Sequence, residues 1–201
     1  MAKQTLFKNE QCEWIDVEAP NTADIQQLNS QYGINRLLLD DTIEPNHLPK
    51  FEEQESVKFF LTREYIETDR HNLNTISDIS TKLSIFILKD IIITIHRTKN
   101  KSIYEYKQEL TKTNEQITPD RIALKLALKV MKSYDDENKQ LLERMDSLEN
   151  EIFLKNTRSS NLIRRLYKIK RKAALSSRLL NISGEWIREF KKLELTESVL
   201  V

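Results

Sequence analysis

From Leu124 to Ile152 apolar residues recur at alternating steps of three and four, through Leu128, Met131, Tyr134, Leu141, Met145 and Leu148, with Asn138 as the one polar member. No proline or glycine interrupts the run. A stripe of that period lies on one side of a helix and nowhere else, so this part of the chain is committed to a rod. Thr118, Pro119 and Asp120 supply its start: a capping hydroxyl, a proline where no amide is needed, and an acid facing the positive helix end. About 35 helical residues rising ~1.5 Å each make a rod of roughly 50 Å. Residues 153–160 read as its break, and Leu162, Leu166, Ile169, Ala173 and Leu180 read as a returning arm. The expected form is a long antiparallel helical hairpin.

The hairpin is sorted by charge. Asp135, Asp136, Glu137, Glu143, Asp146, Glu149 and Glu151 lie on the outgoing arm, and Arg164, Arg165, Lys168, Lys170, Arg171, Lys172 and Arg178 on the return. Antiparallel arms set these runs side by side as flanking ion pairs that hold the register, each worth a few tenths of a kcal/mol. Such pairing neutralises the basic arm, and no nucleic-acid partner is expected. The balance of 32 Lys+Arg against 31 Asp+Glu, a net charge of +1, argues neither for nor against a polyanionic partner.

Residues 1–116 have a different texture and are read as a separate head, with 117–201 as the hairpin. Residues 11–17 alternate as a strand, Cys12, Trp14 and Asp16 on one face and Ile15 and Val17 on the other. Asn21 caps a helix whose buried stripe is Ile25, Leu28 and Tyr32 and which Gly33 ends. A short helix over 36–43 follows, stopped by Pro45. Strands are expected over 57–66, 79–88 and 91–96, the last two joined by a tight turn at Lys89 and Asp90, and a short helix over 102–112. The fold class is α+β, a mixed-sheet α/β/α head followed by the hairpin.

Several function classes drop out. Gly33 and Gly184 are the only glycines, which removes glycine-rich phosphate loops and dinucleotide fingerprints. Cys12 is alone, so there is no disulfide framework or thiolate zinc site, and its place beside Trp14 reads as a buried, inert thiol. His96 reads as a strand-end histidine, and His47 and His71 fall in loops with no ligand constellation around them. No Ser/His/Asp arrangement is present, and the chain is not expected to be an enzyme. The most apolar stretch, 83–95, is cut by Lys89 and Asp90 and falls short of the ~20 apolar residues of a membrane span.

Four fragments in order carry a resemblance: Trp14-Ile15-Asp16-Val17 with Pro20, Tyr32-Gly33-Ile34 with Leu37-Leu38-Leu39 and Asp41, Pro49-Lys50 with Glu52, and Leu141-Leu142-Glu143-Arg144-Met145-Asp146 on the rod. Together they resemble the cytosolic domain of the CorA family of divalent-cation transporters, over essentially the whole chain. The resemblance implies a funnel of subunits, pentameric in the full-length protein, on the cytoplasmic face of the cell membrane. Its stalk and two membrane helices, with Gly-Met-Asn at the pore, have no counterpart before Val201, so the chain is expected to be a soluble piece that meets the membrane only through segments it lacks. It further implies a regulatory Mg2+ ion, with Co2+ or another divalent cation as an alternative, held at the subunit interface by Asp41 first and Asp40 second. The partner carboxylate is expected beyond Val201, and a second acid that some relatives carry falls near Leu128. Trp186 is expected either to anchor the returning helix or to form a subunit contact. The competing reading is a free-standing coiled-coil adaptor whose head and hairpin dock different partners.

Overall fold

The computed structural model describes residues 3–68, 70, 72–112, 117–154 and 160–190. Six strands form one sheet in the order β1-β2-β6-β5-β4-β3. They are β1 (Lys3–Lys8), β2 (Glu13–Glu18), β3 (Lys50–Gln54), β4 (Val57–Tyr65), β5 (Ser80–Ile87) and β6 (Ile91–His96). Neighbours pair antiparallel except β2 and β6, which run parallel from Glu13 opposite Ile91 to Glu18 opposite His96. The sheet is therefore mixed, as expected.

Alternation of side chains across the sheet makes two cores. Ile15, Val17, Phe59, Leu61, Phe86 and Ile93 face α1 (Thr22–Tyr32) and α2 (Arg36–Ile43), whose Ile25, Leu28, Leu38 and Leu39 close the first core. Phe59 and Phe86 sit opposite each other in register and stack with ring centroids 4.6 Å apart. Trp14, Phe60, Ile85 and Ile92 face the other way, against α3 (Lys101–Leu110), α4 (Pro119–Leu154) and α5 (Ser160–Phe190). The head thus has the three layers that its alternating strands require.

Caps define the helices next to the sheet. Asn21 and Asp24 bond reciprocally to each other's backbone amides at 3.0 Å, a capping box that also puts an acid at the positive end of α1. Gly33 ends α1 at φ 66°, in the left-handed region. Asn100 caps α3, and the buried Glu64 carboxylate accepts hydrogen bonds from the Lys101 and Ser102 amides. A carboxylate thus sits where the α3 dipole favours it.

The hairpin departs from the expected stripe in its first half. Ile122, Leu126, Val130 and Tyr134 are the buried residues there, with Ala123 and Ala127 beside them, whereas Leu128 is 54 % exposed. The alanines let α4 lie close on the sheet, and Leu124 and Met131 pack only at the edge of the same core. From Tyr134 onward the expected residues Leu141 and Leu148 are buried. Leu175, Leu179 and Trp186 of α5 belong to that head core too, so packing continues across the compositional shift at residue 117. Trp186 is 1 % exposed and packs in that core, in the place an anchor of α5 would take. His71, the end of the chain and most of the expected break at 153–160 lie outside the described residues.

Candidate metal centre

Helix α2 and the turn after it bring three ligand types together. Asn35 caps α2 by accepting from the Leu37 amide at 2.9 Å, Leu38, Leu39 and Thr42 turn inward, and Glu44 ends the helix in extended backbone. Asp41 falls on the flank that faces the turn, and one oxygen of each of Asp41 and Glu44 and a ring nitrogen of His47 lie within 4.8 Å of one another. Asp41 and Glu44 are one helical turn apart, and Pro45 then reverses the chain so that His47 folds back onto Asp41. His47 was expected to stand without a constellation; the structure corrects this, with its Nε2 3.1 Å from Asp41 Oδ1. The spacing of Asp41, Glu44 and His47 at three-residue intervals was the available signal, hidden by the change from helix to turn.

Lys50 completes the cluster. Its ammonium donates to Asp41 Oδ2 and also pairs with Glu52, two residues along β3 on the same face. Burial alone would lower its pKa, but the bonds to these two carboxylates outweigh that and raise it. The Pro49-Lys50 and Leu39-Asp41 fragments, nine residues apart from acid to ammonium, therefore meet in space.

Two buried cations hold the turn from beneath. Lys82 of β5, 5 % exposed, donates to the carbonyls of Asp41 at 2.7 Å and of Glu44. Burial holds its pKa down to about 8, and the charges of Arg63 and Arg97 push in the same direction. Arg63 of β4 donates to the Pro45 and His47 carbonyls at 3.0 and 2.9 Å, and to the Ser80 and Ser77 hydroxyls at 2.9 Å each. Burial lowers its pKa to about 10. Two buried cations fixed to its backbone oxygens tie this exposed turn to the sheet, so its ligand groups are held by rigid elements.

Asp40 is elsewhere. It points to solvent, half exposed, and pairs with Arg36 one turn back at 2.9 Å, so the adjacent acids do not act on one point. Leu128 lies far along the sequence on α4 and offers no ligand atom. Cys12 is 2 % exposed, and burial, with the charges of Asp90, Asp120 and Glu13 adding, pushes its thiol up to about 12. His96 lies against Asp16, its Nε2 3.1 Å from Oδ2 and its Nδ1 2.7 Å from the Thr98 carbonyl.

The donor set can be tested against a dication. Both Asp41 oxygens are already in use, one by His47 and one by Lys50, while Glu44 is exposed. Magnesium keeps several of its waters and needs few direct carboxylates, so a hydrated ion fits the outer side of this cluster. An imidazole suits cobalt, nickel or zinc better than magnesium.

No helix among the described residues is long and apolar enough to cross a membrane. Comparison of the sequence with curated proteins returned no match. Solved structures do match. Full-length CmaX superposes with a TM-score of 0.72 at 16 % identity over 86 % of this chain, and the chain spans 51 % of that protein. The soluble domain of CorA from Methanocaldococcus jannaschii gives 0.70 at 17 % identity, covering 86 % of this chain and 67 % of its own. The ZntB cytoplasmic domain from Vibrio parahaemolyticus gives 0.55 at 12 % identity, covering 92 % of this chain and 86 % of its own. At such identities these likenesses establish the fold. The model of the CorA-like Mg2+ transporter protein family matches residues 9–198, nearly the whole sequence, and the chain belongs to that family.

Proposed function

We propose that this chain is the cytosolic regulatory part of a CorA-like divalent-cation transport channel serving magnesium uptake, working as one subunit of a homo-oligomeric, pentameric ring at the cytoplasmic face of the membrane. The family match over residues 9–198 carries the reading, and the convergence of Asp41, Glu44 and His47 at the surface supports a sensing role for that turn.

The chemistry follows from charge. A hydrated dication between Asp41 and Glu44 of one subunit and a carboxylate of the next offsets repulsion between the two surfaces and favours the closed ring. When the ion leaves, that repulsion returns and the subunits separate more readily. Differential affinity for the two arrangements is all such a switch requires. Lys50 already neutralises part of Asp41, which weakens the site and suits a sensor that must release its ion at ordinary cellular concentrations. Asp40, tied to Arg36 and facing outward, would serve the neighbouring surface rather than the same ion.

Sedimentation velocity of the purified chain in millimolar Mg2+ and in EDTA tests this. The reading predicts a faster-sedimenting species in Mg2+ or Co2+ that disappears in EDTA and in Asp41→Ala. Association that ignores both the ion and the substitution would instead favour an adaptor.

A further inference from the structure

Strands β2 and β6 are the sheet's parallel pair, and the chain leaves their carboxyl ends in opposite directions. After Glu18 it runs to α1 on one face of the sheet, and after His96 it runs to α3 on the other. Parallel neighbours whose following helices diverge open a crevice at their ends, which is where open sheets with helices on both faces bind ligands. Here the crevice is real: a cleft of about 540 Å3 lies between the ends of β1, β2 and β6 and the first turns of α3. That volume falls within the ~300–1,000 Å3 of small-molecule sites.

The lining is of three kinds. Leu6, Ile103 and Tyr104 form an apolar wall, and the Tyr104 ring is 63 % exposed although no core requires it there. Lys99, Lys101 and Lys107 bring three ammonium groups to the rim, and among the described residues neither Lys99 nor Lys107 has a carboxylate partner. Asp16 and His96 form the buried floor, with Glu18 beside them. Asn100, 5 % exposed, also lines the cleft; its oxygen caps α3 through the Ile103 amide, while its amide nitrogen is buried without a hydrogen-bond partner.

We propose that this cleft binds a nucleoside phosphate, the flat base against Tyr104, Leu6 and Ile103, the phosphate among Lys99, Lys101 and Lys107, and the ribose hydroxyls toward Glu18. A free phosphate would leave the apolar wall unused, and a neutral apolar molecule would leave three lysines facing it. The α3 amides are not the anion site, because Glu64 already occupies them, so the lysine side chains must hold the phosphate. The cleft is separate from the Asp41 turn, and its ligand requires no divalent cation.

Calorimetric titration of the whole chain with AMP, adenosine and inorganic phosphate, in EDTA so that no cation site contributes, tests the proposal. AMP is expected to bind one to one, with adenosine and phosphate each at least roughly tenfold weaker, the loss of a charge-assisted hydrogen bond in one case and of the stacked base in the other. Lys107→Ala and Tyr104→Ala should each weaken AMP by roughly tenfold. Lys99→Glu, at an exposed loop position, provides a second variant that keeps the fold, verified by circular dichroism. No AMP binding at millimolar concentration, AMP binding untouched by all three substitutions, or phosphate binding as tightly as AMP would each overturn it.

Discussion

Glu137 of α4 and Lys172 of α5 face each other 3.3 Å apart, each side chain only 3 % exposed, where the hairpin crosses the sheet. Lys172 also donates to the Tyr65 hydroxyl at 2.9 Å, so one ammonium joins both helices to strand β4. This differs from the flanking surface pairs that the charge-sorted arms suggested. Glu151 and Arg165, 2.8 Å apart and partly exposed, are a pair of that weaker kind. Breaking the buried pair strands a charge. Lys172→Met should cost about 3–5 kcal/mol in urea unfolding, and adding Glu137→Leu should recover most of it. Equal losses in the single and double variants would mean that packing, and not the stranded charge, sets the cost.

Arg63 joins the turn of the candidate cation site to the sheet and has no carboxylate partner among the described residues. Arg63→Lys keeps the charge but cannot reach four separate acceptors from one planar group. Stability should fall by roughly 2 kcal/mol, the scale of hydrogen bonds to charged groups. Amide exchange at residues 44–48 should accelerate more than in the core of β4. Uniform acceleration everywhere would show that Arg63 has no particular hold on the turn.

Both ring nitrogens of His96 face acceptors, the Asp16 carboxylate and the Thr98 carbonyl, an arrangement that favours the doubly protonated ring. Burial opposes that charge, but Asp16 outweighs it and the pKa is raised. A base whose folded pKa lies above its unfolded value stabilises fully below the unfolded pKa of about 6.5 and loses that stabilisation as pH rises through the folded value. The stability difference between the natural chain and Asp16→Asn should therefore be largest near about pH 6 and shrink in alkali. A difference that stays constant with pH would contradict a charged ring.

Cys12 should resist alkylation in the native protein at pH 8 and react at the rate of global unfolding, because its thiol is buried and held protonated. Rapid labelling without unfolding would place it at the surface.

Gly33 can be tested apart from packing, since a Cβ there would meet nothing within 4 Å. Only its φ of 66° is at issue, and Gly33→Ala should cost about 1 kcal/mol. A neutral result would mean that the α1 terminus relaxes without strain.

What could be read from the sequence was whatever a short-range period records. The opposite facings of Trp14 and Ile15, the cap at Asn21, the stop at Gly33 and the hairpin at Lys89 and Asp90 all follow from local rules, and the structure reproduces them. β1 and β3 escaped because they are edge strands of mostly polar sequence, Lys3–Lys8 and Lys50–Gln54, with only Leu6, Phe7 and Phe51 to mark a buried side. Charged edges of this sort discourage pairing with other chains, which is also why they look like loops. The α4 stripe was misread near Leu128 because the alanines that allow close packing weigh little in an apolar count. At the candidate site, Asp41 was legible by resemblance, but His47 and Lys50 reach it across a turn and a strand, and no period connects them.

In the proposed switch the turn from Asp41 to His47 receives a divalent cation. Paramagnetic Mn2+ or Co2+ titrated into isotopically labelled protein reports the location directly, through broadening of nearby amide signals. Broadening is expected to centre on residues 40–50, to be reversed by excess Mg2+ and to be absent in Asp41→Asn. Broadening centred elsewhere, or centred there but unchanged in Asp41→Asn, would contradict it.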